Sequence, residues 1–267
     1  MSRPDMKQPF EHGARAITID GGSVRIPVLA VGRGWMVVDK PAGMSVHNEP
    51  GRDLCSLASV FIQEETSIRE QMDMNPDYGV HPVHRLDKET SGVLLLAATR
   101  KMFRFFSSQF ESRKVKKWYV AILHGRLENP EGDDGWGTWS WALAKTAGGR
   151  NNPEGDGPLQ DSRTRYRVLG HSVHYTMVEI ELLSGRTHQI RRHAKLSGHQ
   201  VVGDARYGST RAVSYLRSNH GFDRLALHAR GLTLLPPGGR APETFETPTI
   251  PTQMRELFEN DLAFQQP

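Results

Sequence analysis

The chain has 267 residues, 37% of them hydrophobic and 24% charged, which excludes a disordered chain and allows a sizeable core. Its net charge of +4 suits a polyanionic partner, and its single cysteine, Cys55, excludes an intrachain disulfide or a thiolate cluster for a metal. Met1-Ser2-Arg3-Pro4-Asp5 lacks the apolar stretch of a signal peptide and no segment reaches membrane-span length, so the expectation is a cytoplasmic protein without membrane contact.

In chain order, residues 1–13 are polar and expected to fray. Ile17-Thr18-Ile19 and Val24-Arg25-Ile26 alternate around Asp20-Gly21-Gly22 and predict a small hairpin. Trp35–Lys40 reads as a strand closed by the turn Pro41-Ala42-Gly43-Met44. Residues 52–63 predict a short helix with Leu54, Leu57, Ala58 and Phe61 on one face. The polar, Met-rich stretch from Glu64 to Tyr78 reads as a surface insertion.

The polar cluster His84-Arg85-Leu86-Asp87-Lys88-Glu89-Thr90-Ser91-Gly92 runs straight into the apolar run Val93–Ala98. Such a run predicts a buried strand, and the cluster becomes a loop on a rigid base, where catalytic groups are commonly held. Arg85 and Lys88 flank Asp87 and would keep it ionised if they are close in space. Next, Lys101–Ser112 predicts a helix with Met102, Phe103, Phe106 and Phe110 on one stripe. Four cations, Arg113, Lys114, Lys116 and Lys117, lead into the strand Trp118–Ile122, a phosphate-contacting edge beside a stacking surface.

Residues 128–161 are rich in Gly, Asp, Asn and Pro, and predict one short strand, Thr138–Leu143, between two long loops. Arg163, Arg165 and Arg167 share one face of an alternating strand, either to contact phosphates or to pair with Glu179 and Glu181 of the next strand. Residues 184–199 contain four cations, Arg186, Arg191, Arg192 and Lys195, together with His188 and His193, and no acid. Thr187 is placed to cap a helix there and Gly198 to end it. A short amphipathic helix is expected around Met254–Phe258.

Four stretches together carry a resemblance. They are Lys40-Pro41-x-Gly43, His84-Arg85-Leu86-Asp87-x-x-Thr90-Ser91-Gly92, Lys117-x-Tyr119-x-Ala121, and Gly185-Arg186-Thr187-His188-Gln189-Ile190-Arg191. In this order, across roughly residues 35–251, the chain resembles the RluA-type pseudouridine synthases. The resemblance implies an α+β fold, a large, mostly antiparallel sheet with flanking helices and a central catalytic cleft. It implies that Asp87 is the essential carboxylate, that Arg191 pairs with it, and that Tyr119 lies against the target uracil. Ile190 would pack against the uracil pocket, His84 would support the loop, and Arg85 would enter or brace the gap in the RNA. Lys117, Arg186 and Arg192 would hold flanking phosphates, while Gly203-Asp204-x-x-Tyr207-Gly208 and Leu225–Ala229 would be structural. Larger members carry an N-terminal S4 RNA-binding domain. Here residues 1–30 read as a short extension with a hairpin and no S4 domain, and residues 31–260 as the catalytic domain.

The implied reaction isomerises uridine to pseudouridine in structured RNA, without cofactor or metal, in a monomer needing no protein partner. Arg192 and the Arg-bearing stretch Ser209–Asp223 resemble the tRNA-directed branch, with ribosomal RNA the other expected substrate. Two rival readings are a catalytically silent RNA-binding or RNA-chaperone protein on the same fold, and a metal-dependent hydrolase. The hydrolase would need the His81–His84 pair, where Pro82 disfavours a helical arrangement and no third ligand is evident.

Overall fold

The computed structural model describes residues 16–19, 24–128 and 134–262. Residues 1–13 and the Asp20-Gly21-Gly22 turn, both read above, lie outside them. The chain begins with β1 (Ala16–Ile19), β2 (Val24–Gly32) and β3 (Trp35–Lys40), followed by α1 (Leu54–Glu64) and α2 (Thr66–Met72). Then come β4 (His81–Pro82), β5 (Ser91–Ala97), α3 (Arg100–Glu111) and β6 (Lys116–His124). Five short strands follow: β7 (Gly137–Trp139), β8 (Leu143–Thr146), β9 (Asp156–Gln160), β10 (Thr164–His171) and β11 (Tyr175–Leu182). The remainder is α4 (Gln189–Leu196), α5 (Thr210–His220), β12 (Leu227–Leu234), β13 (Glu243–Glu246) and α6 (Thr252–Leu262).

One large sheet runs in the order β1-β2-β3-β5-β12-β6-β11-β10-β7, with β4 on β5 and β13 on β12. The pairing of β5 with β12 is parallel, and the other pairings of this sheet are antiparallel. Central strands are buried on both faces. Met36, Val38, Leu94 and Leu96 pack into a core shared with Leu54, Ala58, Ile62, Ile68 and Met72 of α1 and α2. Trp35, Val37, Val93 and Leu95 face the other way, onto Met102 and Phe106 of α3. Alternating side chains of a strand point to opposite faces, so a continuous apolar run is what such a strand requires.

β5 fixes the base of the loop that precedes it. Gly92 lies opposite Ala229 in the parallel pairing, with φ of 116°, and a Cβ there would sit 2.1 Å from the Ala229 carbonyl oxygen. Only glycine permits that approach.

Several expectations need correction. The 64–78 stretch is no idle insertion: it forms α2, which docks through the buried Ile68 and Met72. Within 128–161 the described residues form three strands, β7 joining the main sheet and β8 pairing with β9 in a separate hairpin. Of the two readings offered for the β10 arginines, the cross-strand pairing is the one seen, Arg165 with Glu181 at 3.1 Å and Arg167 with Glu179 at 2.5 Å. Those glutamates therefore take the charges of Arg165 and Arg167. Ser209–Asp223 is largely α5, capped by the Ser209 side chain and closed by Gly221 in the left-handed region.

Candidate active site

The Asp87 loop is tied down on both sides. His84 stacks on Phe110 at 5.0 Å, and its Nε2 accepts the Leu95 N–H of β5 at 3.1 Å. Burial, reinforced by Lys117, pulls the His84 ring down to about 3, so it remains a neutral acceptor near pH 7. On the far side Lys40, fully buried, donates its Nζ protons to the carbonyls of Pro41, Met44 and Lys88 at 2.9–3.0 Å. This one ammonium joins the turn after β3 to the loop, and burial lowers it to about 7.

Asp87 sits between these ties with its side chain one-quarter exposed. Neither neighbouring cation turns toward it. The Lys88 ammonium pairs with Glu49 at 2.7 Å, and Arg85 is exposed and makes no hydrogen bond or ion pair among the described residues. The cation at Asp87 comes from α4: Arg191 Nη1 lies 3.3 Å from Asp87 Oδ2 and 3.4 Å from Glu89 Oε2. The rest of that guanidinium is gripped by Asp204, Nε to Oδ2 at 2.7 Å and Nη2 to Oδ1 at 2.8 Å. Asp204 also accepts the backbone N–H groups of Arg206 and Tyr207. These bonds hold its carboxyl below the usual range despite its burial, and a two-bond fork fixes the arginine more rigidly than a single contact would.

α4 starts one residue later than expected. His188, not Thr187, occupies the capping position, in the left-handed region with φ of 53° and without a side-chain cap. Gln189 secures the approach instead. Its Oε1 accepts from Ser184 Oγ and the Arg186 N–H, while its Nε2 donates to the Arg163 carbonyl and Thr164 Oγ1.

Two cavities meet at this point, of about 1040 Å³ and about 640 Å³, and Arg85, Asp87, Arg186, His188 and Arg191 line both. The smaller is completed by Tyr119, Ile190, Leu227, His84 and Lys117. Tyr119 is buried, and burial together with the Asp87 charge raises its phenol well above the ordinary range. It therefore presents a ring face and a protonated hydroxyl. Lys117 donates to the Ser184 carbonyl at 3.3 Å, and burial lowers it to about 8. The larger cavity continues past Lys88, Arg206, Arg217 and Arg224.

Of the residues expected at the site, Arg192 alone is turned away. It is fully buried and lines neither cavity, and its guanidinium donates to the carbonyls of Ala144 at 3.0 Å, Thr187 at 3.2 Å, Pro153 and Glu154. It is a strut for the β8–β9 hairpin, not a phosphate contact. His81 and His84 are likewise engaged separately, His81 with the Tyr78 carbonyl.

Sequence reasoning missed three contributors. Asp204 was visible only as part of a structural motif, although an acid shortly after an acid-free basic helix is a fair signal for its partner. His188, with Nε2 3.7 Å from Asp87 Oδ1, was noted without a role. Arg224 carried no signal. It is held by Ser91 Oγ at 2.5 Å, and Ser91 bonds in turn to the buried His228 at 2.8 Å.

A carboxylate beside a fixed guanidinium, opening on one side to an aromatic pocket and on the other to a basic cleft, suits acid–base or nucleophilic chemistry on a flat base carried by a polyanion. Comparisons with known proteins agree. Residues 34–196 match the family model described as RNA pseudouridylate synthase. "Ribosomal large subunit pseudouridine synthase C" of Vibrio vulnificus is 31% identical over 217 residues, covering 80% of this chain and 62% of that protein. "tRNA pseudouridine synthase C" of Haemophilus ducreyi is 35% identical over 207 residues, covering 73% of this chain and 79% of its relative. The human RNA pseudouridylate synthase domain containing 4 protein shares the fold, with a TM-score of 0.67 at 22% identity, covering 88% of this chain and 92% of that one. A match through the Asp87 loop, the Tyr119 strand and α4 as far as Leu196 places this chain in the RNA pseudouridine synthase family of RluA type, a family of isomerases.

Proposed function

We propose that this chain isomerises a uridine of transfer or ribosomal RNA to pseudouridine, with Asp87 as the essential carboxylate. The observation that carries the reading is the position of Asp87 where the two cavities meet, paired with Arg191 and beside Tyr119. In the reaction the bond from ribose C1′ to uracil N1 breaks, the base turns, and C1′ joins C5. The C5 proton leaves and N1 ends protonated, so atoms and electrons balance without an outside reactant.

The smaller cavity takes the uracil, its face against Tyr119 and its edge against Ile190 and Leu227. A paired base cannot reach Asp87, so the nucleotide must leave its stack, and the exposed Arg85 is placed to occupy the gap. Lys117 and Arg186 hold the flanking phosphates at the mouth, and the larger cavity receives the neighbouring nucleotides. Asp87 acts on the sugar or the base of the flipped nucleotide, held by Arg191 and Asp204 behind it.

Tritium release from RNA labelled at uracil C5 tests this directly. Wild-type protein should release label from one of two separate pools, transfer RNA or ribosomal RNA, taken from cells lacking the enzyme. Asp87→Ala should release none while still binding RNA. Binding without release by the wild-type protein in both pools would replace the enzyme with a silent RNA binder.

A further inference from the structure

Tyr207 is fully buried and lines neither cavity, and among the described residues its hydroxyl has one hydrogen-bond partner, His188 Nδ1, at 3.0 Å. Burial raises the phenol above its ordinary range, so it keeps its proton. A buried hydroxyl with a single partner donates to it, because the alternative leaves the O–H with no acceptor. Donation to Nδ1 requires that nitrogen to carry a lone pair, which puts the ring proton on Nε2. Nε2 is the atom that faces Asp87 Oδ1, at 3.7 Å, while Arg191 addresses the other oxygen.

We propose that His188 is a positioning residue for Asp87, its tautomer set by Tyr207 so that the Nε2 proton is aimed at the carboxylate oxygen that Arg191 leaves free. Building on the isomerase reading, the inference adds a second donor to the one already assigned. Its separation of 3.7 Å exceeds a hydrogen bond, and catalytic contacts of this kind tighten when substrate closes the cleft. With one donor on each oxygen the carboxylate plane is fixed where the two cavities meet.

The backbone supports the assignment. His188 is held in the left-handed region at the start of α4 without capping the helix, a conformation that costs a non-glycine residue and persists where surroundings impose it. The charged groups around its ring are Asp87 and Glu89 from the loop, Arg191 from α4, and Arg206 beside Tyr207. Burial outweighs the two acids and lowers the imidazole from its ordinary value, which leaves it neutral near pH 7.

Two measurements test the device. In protein labelled with ¹⁵N-histidine, ring correlations assigned by their loss in His188→Gln should show Nε2 protonated and Nδ1 bare. Tyr207→Phe keeps the ring beneath the Arg191 and Arg206 guanidiniums, 5.4 and 5.8 Å from its centroid, and should fold. It should give a mixture of tautomers and lower kcat for tritium release about tenfold, with KM within about twofold, the effect of losing one aimed hydrogen bond. His188→Gln, which retains an N–H donor, should keep more activity than His188→Ala. A proton on Nδ1 in the wild-type protein, or wild-type kcat in Tyr207→Phe, would overturn the inference. The tautomer is read without RNA, so a protein with the expected tautomer that releases no tritium would instead overturn the isomerase reading.

Discussion

Arg191 and Arg192 are consecutive on α4, both are buried, and they belong to two different regions of the molecule. On the cleft side, donors are left partly free. Arg191 gives two bonds to Asp204 and holds one nitrogen at 3.3–3.4 Å from two carboxylates, while among the described residues Arg85 has no partner and Lys117 has one carbonyl. On the hairpin side, donors end on neutral groups of the protein itself. Arg192 reaches four carbonyls, Arg206 gives two bonds to Ala147 and Gly148, and His193 lies between Thr164, Ser162 and Trp141. The same residue types serve in both places. Arg191 and Arg192 each make four bonds, and what separates them is the acceptor: carboxylates at the cleft, main-chain carbonyls at the hairpin.

The sharpest way to break this contrast is to remove each arginine in turn. Arg191→Met leaves Asp204 buried with its charge uncompensated, at a cost of about 3–5 kcal/mol, and releases Asp87. Arg192→Met leaves buried carbonyls without donors, at a cost of about 3 kcal/mol. Stabilities should therefore fall by similar amounts in denaturant titrations. Turnover should not. Measured where both variants remain folded, tritium release should drop about a thousandfold for Arg191→Met and less than about tenfold for Arg192→Met. Equal losses of turnover would show that the hairpin side is as much part of the active site as the cleft.

A second test concerns two buried histidines, one beneath the hairpin side and one behind the cleft. His193 is fully buried, and burial outweighs the bond to the Trp141 carbonyl to lower its ring to about 4; His228, behind Arg224, is lowered by burial to about 3. An unfolded histidine titrates near 6.5, so between about pH 6.5 and 4 the unfolded chain binds more protons than the folded one. The stabilisation contributed by these neutral rings is complete above pH 6.5 and is lost progressively as the pH falls through that window. Urea unfolding at pH 7 and pH 5 should differ by about 2–4 kcal/mol, and His193→Gln should remove part of the difference. A stability independent of pH across this range would mean that the two rings are already protonated in the folded protein.

The sequence made the site legible where its geometry is local. Asp87 stands one short turn from a buried strand, and Tyr119 follows the cations of its own strand, so pattern and position coincide. Arg191 became readable as Asp87's partner only through the motif around it, since no spacing connects residues 104 positions apart. Directions of side chains were not legible. Successive residues on a helix point about 100° apart, and that rotation, rather than any difference in chemistry, sends Arg191 to the cleft and Arg192 to the hairpin. The same limit made Arg85 and Lys88 look like partners of Asp87. In α2 the apolar signal was sparse, with Ile68 and Met72 buried among polar neighbours, and the glycines flanking β8 and β9 masked a hairpin whose stability comes from Arg192 and Arg206.

The smallest effect separates the two regions without removing any donor. Lys117 lines the smaller cavity, and burial lowers its ammonium to about 8, so raising the pH from 7 to 9 neutralises most of it. If its charge meets an RNA phosphate, affinity measured at fixed salt should weaken over that interval by about three- to tenfold. The slope of log affinity against log salt should fall by about one contact. Arginine stays charged throughout, so Lys117→Arg should bind with a flatter pH dependence even if its overall affinity differs. Lys40 also titrates near this window, but it is fully buried under three carbonyls in both proteins, so its contribution cancels in the comparison. Identical pH profiles for wild type and Lys117→Arg would move Lys117 from the substrate side to the bracing side, leaving Arg85 and Arg186 to hold the phosphates.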